Sequence, residues 1–180
     1  MNFDELLTYH CQLLKDIPKS SKISVLINLY ELSPVLSPTK SLGIGVFHSA
    51  VEIGGYEIAY GGTRCEGTGI FFAKPLTVPH PARFFKQINM GPSKLNCTQI
   101  ADFLIKNKDI FSGLSYHIIQ KNCNHFSEFL SKKLSGKKLP EYVNRIAKIG
   151  SKMGCFGGIG EILGFEEGIG PDIGRSNDGI

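Results

Sequence analysis

Apolar positions in the first seventeen residues recur at helical spacing, with Phe3, Leu6, Leu7, Cys11, Leu14 and Ile17 on one stripe, and Pro18 followed by Lys19-Ser20-Ser21-Lys22 ends the pattern. This reads as an amphipathic helix plus a short linker, an extension over 1–22 ahead of the main domain. The period then changes. Ile23 to Tyr30 is rich in apolar and β-branched residues and stops at Ser33-Pro34, which suits a buried strand. From Gly43 to Tyr60 the chain reads as two strands joined at Gly54-Gly55, a pair that tolerates the positive φ of a tight hairpin turn, and His48, Ala50 and Glu52 then share one face. FFAKPLTV and ARFFKQINM read as further strands, closed by Gly91-Pro92-Ser93.

Beyond that break the pattern turns helical. Ile100, Phe103 and Leu104 predict a helix ended by Gly113, followed by a short strand from Tyr116 to Ile119. Asn122 is a good capping residue for a second helix starting near Cys123, whose apolar stripe of Phe126, Phe129, Leu130 and Leu134 runs to Gly136. Pro140 then permits a short helix through Tyr142, Ile146 and Ile149. Residues 151–180 are glycine-rich with little periodicity and read as a loosely ordered tail. The expected organisation is an α+β domain over 23–150, β-rich in front and helical behind.

Composition narrows the class. A chain of 180 residues has room for one domain with a proper core. No apolar run approaches the length of a membrane-spanning helix, and the N-terminus lacks the basic start and unbroken apolar stretch of a secretory signal. Five scattered cysteines, an odd number, fit free thiols in a reducing compartment, so a cytoplasmic location is expected and a nuclear one left open. A net charge of +4 carried by dispersed lysines gives no motive for nucleic-acid binding.

Chemistry then rests on cysteine and histidine. A thiol at a helix N-terminus is favoured as thiolate by unpaired backbone N–H groups and the helix dipole, and Cys123 is the only cysteine expected to sit there. Position alone also suits a small apolar residue packed beneath the helix. A nucleophilic cysteine needs an imidazole close in space. His125 lies about 200° around the helix from Cys123 and points away. His117, His80 and His10 read as structural or solvated, whereas His48, in a glycine-flanked strand, needs a hydrogen-bond partner or a chemical role. Cys97, His117, Cys123 and His125 lack the spacing of a zinc site. Gly43-Ile44-Gly45 opens like a dinucleotide fingerprint, but His48 stands at the third glycine and no helix follows.

The strings GIGVFHSAVEIGGYEIAYGG and SYHIIQKNCNHFSEFLSKKLSGKKLPEYVNRIA closely resemble the two signature blocks of the PPPDE, or DeSI-like, peptidases, which act as deubiquitinating and deSUMOylating isopeptidases. The resemblance spans roughly Ile23 to Ile149 and implies a circularly permuted papain-like cysteine peptidase fold. It places His48 and Cys123 as a catalytic dyad and implies no metal or organic cofactor. Its expected partners are ubiquitin or ubiquitin-like protein conjugates such as SUMO, and a homodimer stays open. The Cys123 backbone N–H is the natural first oxyanion donor, with Asn122 a weaker second. Gly45 and Gly61-Gly62 are candidates for the close approach of a Gly-Gly tail. If the helix terminus and His48 activate Cys123, its pKa is expected below the free value of about 8.5. Two other uses of the same cleft are a non-catalytic module that holds a modifier tail or peptide, and a thioesterase acting on lipidated proteins.

Overall fold

The computed structural model describes residues 1–18, 22–32, 46–77 and 82–145. Their framework is one antiparallel five-stranded sheet: β1 (Ser24–Glu31), β2 (Phe47–Ile53), β3 (Tyr56–Tyr60), β4 (Ile70–Ala73) and β5 (Arg83–Pro92), in the order β4-β3-β2-β1-β5. Three helices accompany it: α1 (Phe3–Lys15), α2 (Cys97–Lys106) and α3 (Cys123–Ser135). The β2–β3 hairpin turns at Gly54-Gly55 with φ of +58° and +84°, left-handed values that side-chain-bearing residues rarely adopt. That turn fixes the register, setting Glu52 opposite Glu57 and Val51 opposite Ile58.

Alternation divides the sheet. Val25, Ile27 and Leu29 of β1, Val51 and Ile53 of β2, and Ile58 and Tyr60 of β3 join the helices in one continuous core. The other face carries Tyr30, Ala50 and Ala59, with Phe71 packed against them.

Several elements differ from their sequence reading, each for a local reason. The first helix, expected as an extension outside the core, buries Leu7, Cys11 and Leu14 within it. Asn2 and Glu5 form a reciprocal cap at its start, Asp4 accepts from the Thr68 N–H and pairs with Lys108, and Lys15 pairs with Asp102 at 2.6 Å. Helix α2 ends at the Asn107 cap rather than at Gly113, which instead opens a single 3-10 turn over Gly113–Ser115. Gly113 is there for room, since a Cβ on it would lie 2.1 Å from Thr63 Oγ1. The expected strand from Tyr116 to Ile119 is a tight loop, closed by paired backbone hydrogen bonds between His117 and Lys121. After Pro140 a 3-10 turn covers Glu141–Asn144, while Ile146, Ile149 and the expected tail lie outside the described residues.

Candidate active site

Helix α3 begins where the sequence predicts. The Asn122 side chain accepts from the His125 N–H at 3.1 Å, the Asn122 N–H donates to His125 Nδ1 at 3.2 Å, and Gly136 closes the far end with φ +82°. His125 is therefore a capping residue; burial lowers its pKa, and Asn144 Nδ2 lies 3.0 Å from its Nε2. Asn122 also donates through Nδ2 to the Ile118 carbonyl at 2.7 Å and to Asn144 Oδ1 at 3.3 Å. Its backbone and side-chain donors are thus engaged in holding the helix start.

Cys123 occupies the first turn of α3, buried, where the helix meets β2 at Ser49, the residue after His48. The Tyr116 hydroxyl donates toward the sulfur at 3.9 Å, the thiol lies 3.8 Å from Asn124 Oδ1 as donor, and the nearby Ser49 backbone amide favours the charged form of the sulfur. Around that contact the helix is fastened to the strand on both sides of His48. Asn124 Nδ2 donates to the Phe47 carbonyl at 2.9 Å and to the Val143 carbonyl at 3.2 Å. Ser49 Oγ donates to Asn124 Oδ1 at 2.8 Å, and Ser127 Oγ donates to the Ser49 carbonyl at 3.1 Å. Because both of its partners are carbonyls, the Asn124 amide has one sensible orientation.

His48 alternates with Ser49 along β2. Ser49 turns toward α3, and the His48 ring turns to the face shared with its cross-strand neighbour Tyr30, ring centroids 6.1 Å apart. The ring is 4% exposed, and burial drives its pKa down to about 4, so it is neutral at pH 7. Beyond Tyr30 lies a polar cluster. The Tyr30 hydroxyl donates to Glu57, Asn28 Nδ2 donates to Glu52 at 2.7 Å and to Glu57 at 2.5 Å, and Gln87 Nε2 donates to Asn28 Oδ1 at 2.9 Å.

The thiol corrects one sequence expectation. Burial outweighs the donors around the sulfur and pushes the Cys123 pKa up in the resting structure, not below its free value. Sulfur and imidazole are therefore both neutral at rest, each held away from its charged form by desolvation.

A second correction concerns the helix terminus. Cys97 also begins a helix, α2, behind an asparagine cap with the same reciprocal bonding, here between Asn96 and Gln99. It packs in the main core, and burial raises its pKa. A helix start alone therefore does not single out Cys123; the Ser49 amide and the Tyr116 hydroxyl do. Gly61 likewise serves packing: its N–H donates to the Gly69 carbonyl at 3.0 Å, and a Cβ on it would stand 3.3 Å from the Phe71 ring. Gly45 and His80 lie outside the described residues. His10 caps nothing; its ring stacks on Phe72 at 5.1 Å and ties α1 to β4.

Sequence reasoning missed Ser49, Asn124 and Tyr116 around the sulfur, and the cluster of Asn28, Tyr30 and Glu57 behind His48. A signal for the cluster was present: Asn28 interrupts an apolar strand, and counting outward from Gly54-Gly55 pairs Glu52 with Glu57.

Comparison with known proteins bears on this arrangement. Residues 23–158 match the family model described as "PPPDE putative peptidase domain". A DeSI-like protein of Arabidopsis thaliana is 33% identical over 131 residues, covering 73% of this chain and 58% of its own length. A desumoylating isopeptidase 1 homolog of Caenorhabditis elegans is 33% identical over 131 residues, 71% of this chain and 39% of its own. A DeSI-like protein of Schizosaccharomyces pombe is 33% identical over 132 residues, 71% and 66% respectively. The chain thus spans less than two-thirds of the length of each of these relatives. A strand-rich front, a helical back and a match over most of the chain carry the permuted papain-like fold with them, and the chain belongs to the PPPDE peptidase family as a DeSI-like member.

Proposed function

We propose that the chain is a cysteine isopeptidase that removes ubiquitin or a ubiquitin-like modifier such as SUMO from conjugated proteins, with Cys123 as nucleophile and His48 as its base. The observation that carries this reading is the seating of the buried Cys123 sulfur at the start of α3 under the Tyr116 hydroxyl and near the Ser49 amide. His48 is the preceding residue of β2, its ring beside Tyr30, and the reading requires that ring to reach the sulfur when substrate binds. The name of the Caenorhabditis elegans relative supports the substrate class.

In this reading His48 takes the thiol proton as the sulfur adds to the isopeptide carbonyl carbon. The C–S bond forms, and the π pair of the carbonyl moves onto oxygen, which the Cys123 backbone N–H receives. Collapse restores the C=O and breaks the C–N bond, and the amine leaves with the proton held by the His48 imidazolium. Water then gives a proton to His48 and attacks the thioester; the C–S bond breaks, and Cys123 recovers a proton as the modifier leaves with a free carboxylate. A resting pair of neutral groups suits this sequence, since charge forms only when substrate has displaced water. The neutral His48 is a weaker base than free imidazole, so the proton transfer depends on the donors that stabilise the developing thiolate.

Covalent capture tests the proposal. Wild type, Cys123→Ala and His48→Ala are incubated separately with ubiquitin and with SUMO carrying a C-terminal electrophile. The expected result is a mass shift for wild type, its loss in Cys123→Ala and slower labelling in His48→Ala. Unlabelled wild type with both reagents rejects the reading.

A further inference from the structure

Tyr116 follows the 3-10 turn at Gly113–Ser115, and its ring packs on Tyr60 with centroids 5.2 Å apart. Tyr60 is itself fixed, fully buried with its hydroxyl donating to the Ser112 carbonyl at 2.9 Å. Between Tyr116 and Cys123 the chain makes the tight His117–Lys121 loop, and His117 Nδ1 accepts from both the Ile119 and Gln120 N–H groups at 3.2 Å. The hydroxyl is thereby carried back to the helix start. It lies 3.9 Å from the Cys123 sulfur as donor. Cys97, with the matching position on α2, has burial as the influence on its thiol and no such hydroxyl acting on it.

We infer that Tyr116 is a catalytic residue of the reaction proposed above: its hydroxyl donates to the Cys123 sulfur as the thiolate forms and holds that sulfur at the start of α3 for attack. The inference rests on Cys123 being the nucleophile. A separation of 3.9 Å is at the long end for a hydrogen bond to neutral sulfur; negative charge on sulfur draws the donor in, because charge-assisted hydrogen bonds are shorter and stronger. The proton stays with the phenol, since burial, then the neighbouring sulfur, push the Tyr116 pKa well above its ordinary value. The titratable ring packed on Tyr116 is Tyr60 of β3, and His48 precedes Ser49 on β2. At rest both are neutral at pH 7, His48 because burial lowers its pKa to about 4 and Tyr60 because burial raises its own; once His48 holds the thiol proton, its imidazolium and the Tyr116 hydroxyl act on the thiolate together.

Tyr116→Phe removes the oxygen and keeps the ring on Tyr60. Alkylation of Cys123 by iodoacetamide, followed across pH by mass spectrometry of the Cys123 peptide, reads its thiolate directly. Loss of one hydrogen bond to a charged group is expected to raise the midpoint by about one unit and to slow alkylation at neutral pH roughly tenfold. On a modifier-amide substrate kcat falls while KM moves little. Fluorotyrosine incorporated at position 116 is a stronger donor and lowers the midpoint, which keeps the test alive should Tyr116→Phe fail to fold. An unchanged midpoint in Tyr116→Phe, or an unmoved midpoint with fluorotyrosine, overturns the role of Tyr116 while wild-type Cys123 still captures the electrophile. Failure of wild type to capture it overturns the nucleophile and this inference together.

Discussion

Replacing Asn124 by Asp changes one atom type at the joint between α3 and β2, and the structure sets the size of the effect. The Nδ2 of Asn124 donates to two carbonyls, Phe47 and Val143, while its Oδ1 accepts from Ser49. Aspartate keeps the acceptor and the shape but turns an oxygen toward both carbonyls. Each buried acceptor left without a donor costs about 1–3 kcal/mol, so the two together come to about 3–5 kcal/mol, and the charge of the carboxylate adds to that at neutral pH. The sign with pH follows. A buried carboxylate facing carbonyls has a folded-state pKa above its unfolded value of about 3.9, so the folded variant takes up a proton first as pH falls. The deficit relative to wild type shrinks on acidification and is smallest below about pH 4. Urea unfolding of wild type, Asn124→Asp and Ser49→Ala at several pH values measures this. Ser49→Ala, which removes one donor, is expected to cost about 1–2 kcal/mol and gives a scale should Asn124→Asp be too unstable. An Asn124→Asp midpoint equal to wild type at neutral pH refutes the fastening of helix to strand.

Two further outcomes are expected. His48 titrates near 4 when folded against about 6.5 when unfolded, so the stability its neutral ring contributes is full above about pH 6.5 and lost as pH falls toward 4, a change on the order of 3 kcal/mol; His48→Gln flattens that part of the pH-stability curve. Leu7 and Leu14 are buried in the main core, so Leu7→Ala or Leu14→Ala each costs about 2–5 kcal/mol in chemical denaturation, whereas a detached extension would leave the midpoint where it is.

Where local chemistry decides an element, the sequence could be read. The glycine pair makes a hairpin turn because its backbone needs positive φ, and Asn122 starts α3 because its side chain can reach the His125 N–H. Where a decision belongs to tertiary contact, it could not. Leu7, Cys11 and Leu14 show an apolar stripe whose partner is hundreds of atoms away along the chain, so a helix was legible and its burial was not. The end of α2 at Asn107 competes with a glycine signal that packing against Thr63 explains instead. The thiol environment shows the same limit. Spacing selects Cys123 as the start of a helix but passes over Cys97 in the same position, and it carries no measure of burial, which reverses the expected direction of the thiol pKa. The family resemblance reaches His48 and Cys123 through motif alone; the Ser49 amide, 74 positions from Cys123 in sequence, needed the fold.

The pairing of Ser49 with Asn124 spans a separation of 75 residues, whereas β2 meets β3 across a turn of two glycines. Contacts close in sequence form early and long loops close late, because each non-local contact must first overcome chain entropy. The hairpin can therefore be present while the thiol is still an ordinary cysteine on an unfinished chain. Its distinctive surroundings exist only where α3 is docked on β2, so any state in which that long-range contact is open has lost them while the hairpin can persist.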